Sequence, residues 1–366
     1  MKKFFRKVII FAIKPAKSIS YLIINSQTNL NIPKMSLSDC TQTQCIAAGA
    51  GVVGLAGFAI ARKYFAGGVC KIKKDLKGQV IIITGSSAGI GKETAKVLAG
   101  MGATVILANR DEARTLPILQ EIKKETKNED VEFIRLDLAD LKSIKEFVEK
   151  FKSRYQSLNI LINNAGVMWI PDRKETKDGF EMQMGTNHLG HFYLTTLLLD
   201  ILKKSAPSRI INVSSSGHTF TNTMGWDDLL FEKKYDMFEA YYRSKLANVV
   251  FSKELDRRLA DANIKAVSLH PGAIPSELTR NLNDKLHYKI LNNVIIAPLM
   301  YIFGKSLLQG AQTTLYCALE DHEKLVGGGY YTDCKLNAEN PEARKAENWS
   351  RLWEESEKLI KAKAPK

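Results

Sequence analysis

Tyr241 and Lys245 are spaced i, i+4, so on a helix their side chains face the same way, one turn apart. A phenol with an ordinary pKa of about 10 is a poor acid or base near neutrality. An ammonium one turn away, together with any further positive charge at the site, favours the phenolate and moves the group into the range of proton transfer. A Tyr-x-x-x-Lys arises often by chance. Here Tyr241 lies 26 residues beyond Ser215 of the run Val213-Ser214-Ser215-Ser216, downstream of a glycine-rich turn and an Asn-Asn-Ala-Gly segment. That order makes coincidence a poor explanation.

The glycine-rich turn is Thr84-Gly85-Ser86-Ser87-Ala88-Gly89-Ile90-Gly91, between an apolar run and a helix-patterned stretch. In that context glycines let the backbone approach a pyrophosphate at a helix N-terminus. A tight turn of purely structural purpose competes with this reading. The spacing is Gly-x-x-x-Gly-x-Gly, not the Gly-x-Gly-x-x-Gly of most dinucleotide folds. At the end of the second apolar run, Asn109-Arg110 offers a guanidinium where an NAD enzyme would place an acid, so NADP(H) is expected over NAD(H). Lys92 or Ser86 could share that phosphate, and a solvated surface Arg110 is the bland alternative. Asp137 and Leu138 stand where a carboxylate and adjacent backbone could meet an adenine, while Asp140 suits a helix N-cap. Asn163-Asn164-Ala165-Gly166 closes a fourth run at the sheet edge where open α/β folds take ligands, although a simple Asx turn would explain it too.

These residues need a scaffold, and the chain supplies an alternation of apolar runs and helical stretches. Strands are expected at Val80–Gly85, Thr104–Ala108, Val131–Leu136, Ile160–Asn163, Arg209–Val213 and Lys265–Leu269, with a late one at Tyr330 and Tyr331. Helices are expected at Ile90–Gly100, Glu112–Thr126, Ser143–Ser153, Met182–Lys203 and Glu239–Ala260. The pattern is that of an α/β domain, a doubly wound parallel sheet with flanking helices, over about 79–340. Beyond it, 341–366 carries Trp349, Trp353 and Ile360 at helical spacing among Lys and Glu, an amphipathic helix packed on the domain.

Composition restricts the rest. The chain has 366 residues, 45% hydrophobic and 25% charged, in the globular range. Its net charge of +14 is concentrated in residues 1–78, which hold 13 Lys/Arg against Asp39 and Asp75. The folded domain is therefore nearly neutral, which argues against a nucleic-acid partner. The five cysteines form no CxxC pair, so neither a metal site nor a disulfide framework is expected. The extension 1–45 begins without an acid through residue 38 and mixes Lys with apolar residues as organelle presequences do. The uncharged stretch 46–61, IAAGAGVVGLAGFAIA, is a short membrane-embedded helix of about 24 Å, with a buried soluble helix as the other reading. The basic linker 62–78 then places the domain on the cytosolic or matrix-like side.

Together TGSSAGIG, NNAG, Asn187, Ser215 and YYRSK resemble the short-chain dehydrogenase/reductase family over about residues 79 to 335. FEMQMGTNHLGHF, SRIINVSS, YYRSKLAN and GGYYTDC look more narrowly like its retinol dehydrogenase branch, and KYFAGGVCK is similar to the membrane-proximal region of mitochondrial members. The resemblance implies a single Rossmann-type domain and carbonyl reduction with Tyr241 as general acid, Ser215 hydrogen-bonded to the same oxygen, Lys245 on the nicotinamide ribose, and Asn187 anchoring a water between Lys245 and solvent. It implies that Gly85, Ser87, Gly89, Ile90, Gly91, Arg110, Asp137, Leu138, Asn164, Ala165 and Gly166 line NADP(H), and that Pro271 and Gly272 close over the nicotinamide end. His188 and His191 receive no catalytic role. The expected partners are an apolar aldehyde, ketone or alcohol of retinoid type, a membrane, and a second copy or membrane complex; the expected compartment is mitochondrion before endoplasmic reticulum. Residues 290–303 are read either as a lid over an apolar pocket, dipping into the membrane interface, or as a packed helix pair. A rival reading from another class is a nucleotide-holding structural subunit of a membrane complex with little turnover.

Overall fold

The computed structural model describes residues 66–275 and 277–365. The basic start, the run 46–61 with its expected membrane-embedded helix, and the first part of the basic linker lie outside the described residues. No helix among the described residues is long and apolar enough to cross a membrane.

β1 (Val80–Thr84) is five buried residues, VIIIT, the composition of a strand covered on both faces. Its side chains alternate, with Ile82 in one apolar cluster and Ile81 and Ile83 in another. β2 (Thr104–Asn109) and β3 (Val131–Arg135) lie on one side of β1. On the other lie β4 (Ile160–Asn163), β5 (Ser208–Val213), β6 (Ile264–His270), β7 (Tyr330–Thr332) and β8 (Lys335–Asn337), giving the order β3-β2-β1-β4-β5-β6-β7-β8. Pairing is parallel up to β7 and antiparallel between β7 and β8. The order reverses between β1 and β4, which opens a crevice beyond the carboxyl ends of those strands.

The connecting helices are α1 (Gly89–Gly100), α2 (Glu112–Thr126), α3 (Leu141–Arg154), α4 (Gly190–Lys204) and α5 (Met237–Arg258). After β6 come α6 (Leu286–Leu291), α7 (Ala297–Phe303) and α8 (Leu307–Leu319), and α9 (Ala346–Lys363) ends the chain. Ile81 and Ile83 share their cluster with Leu98 of α1, Ile122 of α2 and Leu315 of α8. Ile82 shares the other with Phe147 of α3, Leu194 of α4, Val250 of α5 and Leu352 of α9. Each such aliphatic side chain contributes about 1.5–3 kcal/mol when fully buried, and two covered faces make this a doubly wound, Rossmann-type sheet.

The strands and helices expected from the sequence are present, with most ends shifted by one or two residues; the C-terminal helix, expected over 341–366, spans Ala346–Lys363 after a 3-10 turn at Pro341–Arg344. The stretch expected as one helix from Met182 contains a π turn, Gly185–Leu189, between the short turn Met182–Met184 and α4. β8 and α8 are additions. The three residues of β8 are all exposed and show no alternation. α8 carries no charge and includes Gly310, so it lacks an amphipathic signature, yet Ser306 and Gln309 form a capping box that fixes its start. Asp140 caps α3, its carboxylate accepting from the backbone N–H groups of Lys142 and Ser143.

Candidate active site

β5 delivers Ser214 and Ser215 to the crevice, and Ser215 caps the following 3-10 turn by accepting from Gly217 N at 3.0 Å. α5 starts at the Asp236 cap, whose carboxylate accepts from Phe238 N and Glu239 N, both at 2.9 Å. One turn later Tyr241 and Lys245 lie side by side, 6% and 5% exposed. The Tyr241 hydroxyl is hydrogen-bonded to that of Ser215. Lys245 Nζ donates to Val213 O at 3.1 Å and sits 5.8 Å from the centre of the Tyr241 ring.

Burial dominates the ionisation of both groups. It pushes the Tyr241 phenol up to about 12, against the hydrogen bond from Ser215. It pushes the Lys245 ammonium down to about 8. Burial thus favours the protonated phenol of Tyr241. That is the form a proton donor needs.

Asn187 occupies the π turn, where such turns often serve function. Its side chain joins two segments. Nδ2 donates to Val167 O and to Ser244 Oγ, both at 2.9 Å, and Oδ1 accepts from Val167 N at 2.8 Å. Ser244 in turn donates to Tyr241 O at 2.8 Å. A Cβ on Gly166 would come within 3.2 Å of Asn187 Oδ1 and 3.3 Å of Lys245 Nζ, so Gly166, Asn187 and Lys245 meet at one point.

A buried network that the sequence did not reveal runs behind them. Thr84 Oγ1 accepts from Asn164 N and Ala165 N, both at 2.9 Å, and lies 2.9 Å from His191 Nε2. With its lone pairs used, the hydroxyl proton goes to Nε2, so the His191 proton is on Nδ1, which reaches Asn187 O at 3.0 Å. Burial lowers the His191 pKa to about 4 and keeps the ring neutral. His188, lowered to about 3 by burial, turns away and meets Ser356 of α9 at 2.9 Å.

The glycine-rich turn is held by Asn109 at the end of β2, whose Oδ1 accepts from Ser86 N at 2.7 Å and Ser87 N at 3.2 Å. Gly85 has φ +67°, and a Cβ there would lie 2.7 Å from Ala165 Cα. Asn164 Nδ2 closes the same junction by donating to Thr84 O at 2.9 Å and Gly85 O at 3.2 Å. Ile90 packs towards Gly310 of α8. Arg110 is exposed beside the turn. Of the two alternatives weighed with it, Lys92 is paired with Glu121 at 2.7 Å, and Ser86 is buried with its hydroxyl donating to Ile83 O. Asp137 uses Oδ1 to accept from Ala139 N at 3.0 Å, and Leu138 is buried against Gly190. At the far rim Pro271 is buried and Gly272, at φ +104°, lies against the Lys305 stem. The Lys305 ammonium pairs with Asp333.

The place for a dinucleotide fits what the residues leave open. α2, α3, α5 and α8 have side-chain caps, whereas α1 starts at Ala88 with none, as α6 and α9 also do. Gly89 has φ +59° and nothing within 4 Å of where a Cβ would stand. The N–H groups of that first turn have no side-chain cap and suit a pyrophosphate. Among the described residues no group of His, Cys, Asp or Glu is placed to hold a metal ion.

Comparison with known proteins agrees with this geometry. The family model for short chain dehydrogenases matches residues 79–287. The chain is 46% identical to Retinol dehydrogenase 12 of Homo sapiens over 299 residues, covering 82% of this chain and 92% of that one. It is 44% identical to Retinol dehydrogenase 13 of Homo sapiens over 313 residues, 85% of this chain and 93% of that one. Among solved structures, an uncharacterized protein from Mycobacterium paratuberculosis is 32% identical with a TM-score of 0.63, over 81% of this chain and 98% of that one.

Proposed function

The chain belongs to the short-chain dehydrogenase family as a retinol dehydrogenase-like oxidoreductase, and from that premise we propose that it interconverts an apolar aldehyde or ketone and its alcohol, retinoids first, with NADP(H). The observation that carries the reading is the hydrogen-bonded pair Tyr241 and Ser215, with Lys245 beside it, at the strand-order reversal.

In the direction of reduction, Tyr241 gives its hydroxyl proton to the substrate oxygen while Ser215 hydrogen-bonds that oxygen and fixes its position. When bound, NADP(H) supplies or takes up the hydride. Lys245 holds the ribose nearest the reacting centre and restores the proton to Tyr241; a pKa near 8 suits an amine that must both lose and regain one. Asn187 locks the 166–167 loop to α5 and so keeps Lys245 in register. Gly85, Ser87, Gly89, Ile90 and Gly91 hold the pyrophosphate; Asp137 and Leu138 flank the adenine. Asn164, Ala165, Gly166, Pro271 and Gly272 enclose the nicotinamide end. Arg110 supports the phosphorylated cofactor because it is exposed at the end of β2 while Lys92 is already paired.

The acid-free start and the uncharged run 46–61 support attachment to a membrane, and the lysine-rich opening favours a mitochondrial one. The structural-subunit reading is not favoured, since the relatives are named as dehydrogenases and the proton-transfer residues are assembled.

The test is oxidation of NADPH, with NADH in parallel, by the full chain in detergent against retinal and a panel of apolar aldehydes. Turnover with a preference for NADPH is expected, and Tyr241→Phe should lower kcat by about 10²- to 10⁴-fold. Tight NADPH binding with no turnover of any carbonyl would remove the proposal.

A further inference from the structure

After β6 the chain makes its longest excursion before returning to the sheet, and its middle, from about 286 to 303, is flanked by anchored residues on both sides. On one side Lys305 N donates to Ala273 O at 2.8 Å. On the other, Asn281 Nδ2 donates to Met168 O at 3.1 Å, Lys285 pairs with Asp172 at 2.5 Å and Lys174 with Asp284 at 3.1 Å. The middle is different. α6, a π turn at Asn292–Ile296 and α7 follow one another without leaving helical backbone, and from 286 to 301 only Asn292 is buried. Leu286, Ile290 and Val294, at i, i+4 and i+8, are 74%, 54% and 66% exposed; Leu299, Leu307 and Leu308 continue the apolar surface. An apolar face of this size on one element marks an interaction surface.

Two observations say what meets it. From Lys285 to Leu319 there is no Asp or Glu; the exposed Lys289, with Lys285 already paired to Asp172, borders the aliphatic side chains, and Tyr301 is exposed at the far end. Cations and a tyrosine around an aliphatic centre match the headgroup and acyl layers of a bilayer. The N-terminal connector also arrives here. Gly67 packs on the end of Lys305, directly after α7, Gly68 lies against Asp333, and Cys70 N donates to Gln312 Oε1 at 3.0 Å. Along the chain only Arg62 to Ala66 separate Gly67 from the uncharged run 46–61.

We propose that the helical run 286–303 is a second membrane contact, lying in the interface with its aliphatic face in the lipid, so that an apolar substrate enters the crevice from the bilayer. This rests on the membrane attachment proposed above. The test reconstitutes the full chain with vesicles of phosphatidylcholine and a minor fraction of phosphatidylglycerol, with or without brominated acyl chains, and compares it with Val294→Trp. Brominated lipid should remove at least half of the emission that Val294→Trp adds to that of the native tryptophans. In parallel, Ile290→Asp/Leu299→Asp should raise KM several-fold for retinal delivered in vesicles and leave kcat/KM for a short water-soluble aldehyde unchanged. If the chain pellets with vesicles but the added emission is not quenched, this contact is wrong and the attachment reading stands. If the chain does not pellet, both fall. Concentration-dependent dimerisation that Ile290→Asp/Leu299→Asp abolishes, without quenching, would assign the face to a second copy and overturn the proposal.

Discussion

Burial acts on Tyr241 and Lys245 in opposite directions because the phenol is neutral when protonated and the ammonium is charged. Between about 8 and its ordinary value of 10.5, Lys245 binds fewer protons in the folded chain than in the unfolded one, so its contribution to stability rises with pH through that window. Below about 8 the folded chain bears the full cost of the buried ammonium. Lys245→Met is therefore expected to raise the melting temperature at pH 7 while abolishing turnover, and the gain should shrink as pH passes from 8 towards 10.5. Thermal unfolding of both chains at pH 7 and pH 10 measures this. His191 is bound to the same site through its two nitrogens. His191→Leu leaves Asn187 O and the Thr84 hydroxyl without their partner and should cost about 2–4 kcal/mol in urea unfolding, with weaker NADPH binding by titration. Tyr241, Lys245 and Ser215 were legible because spacing along a helix and the end of an apolar run are local signals. Asn109 and His191 were not: one acts across 23 residues on two backbone N–H groups, the other across 107 on a threonine, and neither leaves a pattern in the chain.

At the scale of elements, the strands were legible because doubly covered strands are continuous apolar runs, as VIIIT of β1 shows. β8 was not, since three exposed residues paired to one neighbour need no apolar face. α8 was hidden because a helix without charge, packed on the sheet beside α1, looks like any apolar stretch. The junction of β1 and α1 is tightly constrained. Gly85→Ala places a methyl on a left-handed residue and 2.7 Å from Ala165 Cα, so both the turn and the Asn164 segment must move. It should lose about 1–3 kcal/mol of stability and weaken NADPH by more than tenfold, read by chemical unfolding and by cofactor titration.

In the whole molecule, charge and apolar surface are unevenly shared. The excess of Lys and Arg precedes the domain, and the exposed aliphatic face lies on α6 and α7, close in space to where that basic connector joins. A boundary at residue 79 is where the apolar runs begin, whereas the contacts divide the chain between Ala56 and Gly57; the docking of 67–70 was not legible, because its contacts are with Lys305, Gln312 and Asp333 far along the chain. Lys305 lies between three parties: its stem supports Gly272, its ammonium pairs with Asp333, and Gly67 covers its end. A protein engineer wanting a soluble enzyme would cut at residue 79, and that cut discards the short strap holding the lysine in place. A chain beginning at 66 should melt several degrees higher and bind NADPH more tightly than one beginning at 79, as differential scanning fluorimetry with and without NADPH would show. What reads as a leash to something outside the domain is also a keystone within it.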